Sequence, residues 1–177
     1  MTVRHVDLIF GMGAMETDET APQLRRGFFD LLGNAPFRKR LLCGSGGGQV
    51  DQIYGRAISL AASAAADRDL IGSLTDNFAA TLNFRTVLAI ALVNTTVNAT
   101  GIISFGPKSS ASATAFYGTA ADRALIYPAL AVDNPGLLVH YAPRGIAQTA
   151  GADTYTITNT DGANAVTGYL MILGRSL

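Results

Sequence analysis

The chain has 177 residues and a mass of 18.4 kDa, with 49% hydrophobic and 15% charged residues. That bounds it to one domain, or two small ones, and excludes a disordered chain. Lys and Arg (13) balance Asp and Glu (13), so a DNA-binding protein's whole-chain basic field is excluded; one Cys excludes an intramolecular disulfide, and two His leave too few ligands for a Cys/His metal site.

In chain order, the N-terminus lacks a basic start followed by a long apolar run, so a signal peptide is not expected. The first element is a helix over residues 21–32. Thr20 fits an N-cap, Pro22 the first turn, and Gln23 reaches back to the cap. Leu24, Phe28, Leu31 and Leu32 then share one face. Gly33 and Asn34 offer a left-handed stop, and Pro36 prevents continuation. So short a helix is marginal alone in water and must dock on something. Phe29 lies off the stripe, as it would in an arm held between subunits. The basic run Arg38-Lys39-Arg40 follows, then Cys43, which reads as a small buried thiol beside Leu41 and Leu42. Gly44-Ser45-Gly46-Gly47-Gly48 reads as a flexible hinge dividing an arm, residues 1–50, from a body, residues 51–177.

Past the hinge the period becomes strand-like. Strands are expected over 54–62, 67–71, 84–94, 101–105, 124–127, 137–141, 153–160 and 166–173, with one short helical turn over 73–79. In the 84–94 segment odd and even positions are both apolar, so both faces should be covered. Its apolar run, 87–93, is far short of the roughly 20 residues that span a bilayer. In 153–160, Tyr155 and Ile157 alternate with Thr154, Thr156 and Thr158. Gly, Pro, Asn and Asp punctuate the strands, as in Asp133-Asn134-Pro135-Gly136. Short strands at this spacing, without βαβ alternation, predict an all-β fold: an antiparallel β-sandwich of jelly-roll type with an N-terminal arm carrying one short helix.

No chemical motif stands above its ordinary structural reading. The glycine run lacks the Lys-Ser or Lys-Thr of a phosphate loop, and Gly11-Met12-Gly13 lacks the third glycine of a dinucleotide fingerprint. His140 reads as a half-buried sheet histidine, and His5 lies too near the terminus for the held geometry a general base needs. Asp67 and Asp69 would share a strand face but read as solvated carboxylates; Asp133 and Asn134 read as turn formers. No catalytic residue, cofactor or metal is assigned.

Several pieces of the body resemble small virion proteins of tailed bacteriophages. They are Asp69-Leu70, Leu74-Thr75-Asp76, Phe78, Leu82-Asn83-Phe84, Val87 and Asn94-Thr95. Further along come Asp133-Asn134-Pro135-Gly136, the Pro143 and Gly145 turn, Ala152-Asp153-Thr154 with Ile157-Thr158-Asn159, and the closing apolar strand before Gly174. The resemblance covers roughly residues 55–177 and not the arm. It implies a β-sandwich structural subunit of the virion, without enzymatic activity. The expected role is capsid decoration or cement, the oligomer a trimer, and the partner the major capsid protein or another virion protein. Assembly would occur in the host cytoplasm, with neither membrane nor nucleic acid as a partner. The alternatives are a head–tail connector or tail subunit, or a jelly-roll carbohydrate-binding module. The expected partner interface is Leu24, Phe28, Phe29, Leu32, Phe37, Arg38, Lys39 and Arg40.

Overall fold

The computed structural model describes residues 5–10, 13–17, 26–30, 37–47, 49–76, 78–108, 123–131 and 135–177. Within them the N-terminal part contributes β1 (His5–Phe10), β2 (Gly13–Thr17), β3 (Arg26–Asp30), β4 (Phe37–Cys43) and β5 (Gln49–Val50). The body contributes β6 (Gln52–Leu60), β7 (Ala65–Asp69), β8 (Ile71–Thr75), β9 (Thr81–Asn83) and β10 (Thr86–Asn94). Then follow β11 (Ile103–Pro107), β12 (Ala124–Ile126), β13 (Gly136–Ala147), β14 (Thr154–Asn159) and β15 (Val166–Arg175). The described residues are all-β.

Two four-stranded antiparallel sheets carry the body, ordered β13-β10-β15-β6 and β12-β11-β14-β7. Both feed one core. Tyr54, Ile58, Ile90, Leu92, Leu170 and Ile172 enter it from the first sheet; Ile103, Phe105, Ile126, Tyr155 and Ile157 enter it from the second. Period-two alternation makes this possible. In β6, Tyr54, Ile58 and Leu60 are buried while Gly55, Ala57 and Ser59 are exposed. In β14, Tyr155 and Ile157 join the core as expected, and Tyr155 stacks on Phe105 with ring centroids 5.2 Å apart. The small β8-β9 pair adds Leu74 and Leu82 to the same core, with Leu70 and Phe84 flanking it.

The doubly apolar pattern of β10 has a specific cause. Against β15 its register shifts between Val87, opposite Gly174, and Ala89, opposite Leu173, so Leu88 is the extra residue of a β-bulge; at the same place β13 carries residues 142–145 unpaired between Tyr141 and Ile146. The bulge inverts the alternation. Val87 before it and Ile90 and Leu92 after it all reach the shared core, whereas Leu88 and Ala89 face the other side. There they form a second cluster with Leu41, Val50 and Leu173. Two residues flanking the glycine run therefore cover one end of the first sheet's outer face. The run itself is tied down. Gly44 N–H donates to Val50 O (3.1 Å), Gly46 N–H to Gln49 Oε1 (2.8 Å), and Arg175 to Gly46 O (2.8 Å).

Three expectations are corrected. Where residues 21–32 are described they are not helical: Arg26–Asp30 is strand β3, antiparallel to β2 with Phe28 opposite Met15 and Phe29 opposite Ala14. Gly27 weakens a helix by about 1 kcal/mol, aromatic residues suit a pleated pair, and β2 supplies hydrogen bonds that an isolated helix of that length could not hold. The rest of that segment, with the capping residues Thr20 and Gln23, lies outside the described residues. The helical turn over 73–79 is instead the end of β8 and a turn, closed by the Asp76 carboxylate accepting from Phe78 N–H (2.8 Å) and Ala80 N–H (2.9 Å). Cys43 is exposed, not buried. It ends β4, where Leu41 is buried and Leu42 and Cys43 are exposed.

Candidate functional site

The expected interface residues lie on the N-terminal strands or beyond the description. Phe28 and Phe29 are in β3; Phe37, Arg38, Lys39 and Arg40 are in β4, in register with Phe10, Ile9, Leu8 and Asp7 of β1. Leu24 and Leu32 lie outside the described residues, as do Asp133 and Asn134. In sequence the pairing β1-β4 encloses the pairing β2-β3, which is a separate two-stranded sheet; the β1-β4 pair is the N-terminal ribbon. Its only further partner among the described residues is β5, which runs parallel to β4.

The carboxylates of the body are committed to structure. Asp67 pairs with Lys108 (2.6 Å) and accepts from Thr156 Oγ1 (2.8 Å); these hydrogen bonds hold its pKa below 3.8. Asp51 accepts from the Ser176 amide (2.9 Å) and hydroxyl (2.5 Å), tying down the C-terminal segment. It shares a small recess of about 160 Å³ with Asp76, whose carboxylate is already occupied by its own turn. Asp161 accepts from Thr100 Oγ1 (2.7 Å), the Ala163 amide and Asn164, which pulls its pKa down to about 2.

Two buried asparagines do the same at the strand ends. Asn94 Nδ2 donates to Gly101 O (2.7 Å) and Ile126 O (3.0 Å), joining the two sheets. Its Oδ1 accepts from Thr96 N–H (3.0 Å). Asn159 Nδ2 donates to Ala61 O and Asn164 O, both at 2.8 Å. Asp153 stands apart. It is buried, its Oδ2 meets no donor among the described residues, and it lies against the Asp69 carboxyl. Burial, and next the neighbouring Asp69, raise its pKa. Asp69 meanwhile accepts from Ile71 N–H (3.0 Å). His140 is half-buried in β13 opposite Ile90, as a sheet histidine. Among the described residues no group of three or more His, Cys, Asp or Glu could hold a metal ion, and no helix is long and apolar enough to cross a membrane.

What remains open is the outer face of the β13-β10-β15-β6 sheet. Registers across the four strands define its rows. The row Tyr141–Ala89–Leu173–Ile53 is covered by Leu41 and Val50. The next row, Val139–Ala91–Met171–Gly55, is not: Val139 is 44% and Met171 39% exposed. The third, Leu137–Val93–Tyr169–Ala57, is more open still, with Leu137 at 56% and Tyr169 at 60%. No charged residue occurs in either open row. A shallow, mostly apolar depression of about 310 Å³ lies over Ala91, Val93, Tyr169 and Met171. Arg56 stands at its margin, its guanidinium donating to Asp76 O (2.6 Å) and lying over the Tyr54 ring. The outer face of the other sheet is mixed by contrast, with one exposed apolar residue, Leu125, opposite Ser104. Thr156 and Thr158 stand there with Ser104, Asp67 and its Lys108 partner.

Sequence reading found β10 as the apolar strand but not these rows, because they arise from side-by-side strands far apart in the chain. The alternation Tyr169, Met171 against Leu170, Ile172 was a usable signal: both parities of 166–173 are apolar, so its outer parity needed a cover. Compared with family models, curated proteins and solved structures, the chain matches none.

Proposed function

We propose that this chain is a non-enzymatic structural subunit of a tailed bacteriophage virion, a capsid decoration or cement protein built on a jelly roll. The strand order supports the jelly roll. Taking β6, β7, β10, β11, β12, β13, β14 and β15 as strands one to eight, the antiparallel neighbours include first with eighth, second with seventh, third with sixth and fourth with fifth. That is one long antiparallel ribbon rolled into two four-stranded sheets, the double Greek key of jelly rolls. The virion reading rests on the resemblance of residues 55–177 to phage virion proteins.

The observation that carries an assembly role is the contrast between the two outer faces. One mixes Thr156, Thr158, Ser104 and the Asp67–Lys108 pair with the single exposed Leu125; the other exposes two charge-free rows across four strands. Exposed apolar surface of that continuity marks a contact site. The zero net charge lets copies approach without long-range repulsion. In this reading the sandwich self-associates through its apolar sheet face, as a trimer, and the N-terminal ribbon attaches the oligomer to the major capsid protein. Each contact is modest, at about 25 cal/mol per Å² of apolar area, and repetition over a lattice multiplies it.

Quantitative protein analysis of purified particles tests this. Decoration requires copies in proportion to the capsid lattice. A single ring's worth would move the chain to the head–tail joint or tail. Absence from particles would overturn both.

A further inference from the structure

The open rows of the first sheet need a cover, and the structure already contains the kind of cover they fit. Over the adjoining row, Leu41 of β4 and Val50 of β5 seal Leu88, Ala89 and Leu173 completely enough that Leu41 and Val50 are themselves fully buried. The apolar face is thus continuous from a covered row to two uncovered ones, and its established occupant is the base of the N-terminal ribbon.

Size argues against the same face of a second copy as the partner. Four strands about 4.8 Å apart, by two rows about 7 Å apart, give a footprint of roughly 300 Å². A stable interface of standard size takes about 800 Å² from each partner. A two-stranded ribbon, about 10 Å across its backbones, fits such a strip and brings its own length as additional contact. The ribbon has the matching sequence. Val6, Leu8 and Phe10 recur at every second position of β1, and Val6 is the register partner of Leu41. Among the described residues the ribbon pairs with no strand of the body, its one further strand partner being β5.

We infer that the two open rows, around Val139, Met171, Leu137 and Tyr169, are the docking site for the N-terminal ribbon of a second copy of this chain. The subunits are then linked by exchanged arms, each ribbon extending onto its neighbour's sheet the contact its base makes in its own chain. This rests on the assembly reading above for the apolar face as the self-association surface, and it assigns the N-terminal ribbon to the neighbouring copy in place of the major capsid protein.

The test uses the full-length chain in a Cys43→Ser background, which removes the exposed thiol. Chains carrying Val6→Cys, Leu8→Cys or Phe10→Cys, one at a time, are mixed with chains carrying Tyr169→Cys and oxidised. At least one mixture should give a disulfide-linked pair of unlike chains. In parallel, Val139→Asp with Met171→Asp should weaken self-association at least tenfold in light scattering, with an unchanged far-UV spectrum. Four results would overturn the inference. They are a wild-type monomer at high concentration, linkage of Tyr169→Cys chains only to each other, a link within one chain when both cysteines are placed in it, and no unlike pair from any of the three mixtures. The virion reading fails separately: the unlike pairs would form as expected while particles lacked the chain.

Discussion

At the scale of single residues, the buried carboxyl of Asp153 is a group whose charge the fold opposes. It is removed from water at the start of β14 and faces the Asp69 carboxyl, so its pKa is raised. A carboxyl with a raised folded-state pKa binds more protons in the folded chain than in the unfolded one. Its contribution to stability is therefore complete in acid and is lost as pH climbs from its ordinary value, near 3.8, through the raised one. Asp153→Asn should accordingly be more stable than wild type at neutral pH and no more stable in acid. Urea midpoints measured from pH 3 to pH 8 check this, and parallel curves for the two proteins would contradict it. The site was invisible in the sequence. Asp153 read as the first residue of a strand, and only the register of Thr154 with Asp69 brings the two carboxyls together.

Single elements are held by close backbone contact as much as by side chains. Gly168 in β15 sits opposite Asn94 of β10, and a Cβ there would overlap the Val93 carbonyl oxygen. Gly168→Ala should cost about 1–3 kcal/mol through forced separation of the two central strands, read as a lower urea midpoint with unchanged slope. An unshifted midpoint would mean that β15 moves freely there. The eight strands of the two large sheets were legible from local hydrophobic pattern and the turn chemistry between them; β8, read partly as a helical turn, and the three-residue β9 were not. Nor was β3. Residues 24, 28, 31 and 32 have helical spacing, yet Phe28 and Phe29 lie in a strand because β2, which begins at Gly13, provides the pairing edge. A periodicity argument sees one segment and cannot see its partner. The bulge at Leu88 escaped for the same reason: an apolar run reads as two covered faces whether or not the alternation inverts within it.

At the scale of the molecule, the segment before the glycine run is bound into the packing of the body. Leu41 is fully buried against Leu88, Ala89 and Leu173. Leu41→Ala should destabilise the whole chain by about 2–5 kcal/mol, as a core leucine does, whereas Leu42→Ala, 59% exposed next door, should be near neutral. Chemical unfolding of the two variants side by side checks this. Equal effects would mean that β4 does not seal the sheet.

The sequence by itself determined the class of the protein. Neutral charge, one cysteine, short alternating segments and turn residues between them point to an all-β chain with no dense polar site, because hydrophobic period and turn chemistry are local properties. Which strands neighbour one another, which face stays open, and where Leu41 and Asp153 end up were decided only by the tertiary structure. Each depends on the register of segments separated by tens of residues, and register is set by how all the faces are buried at once.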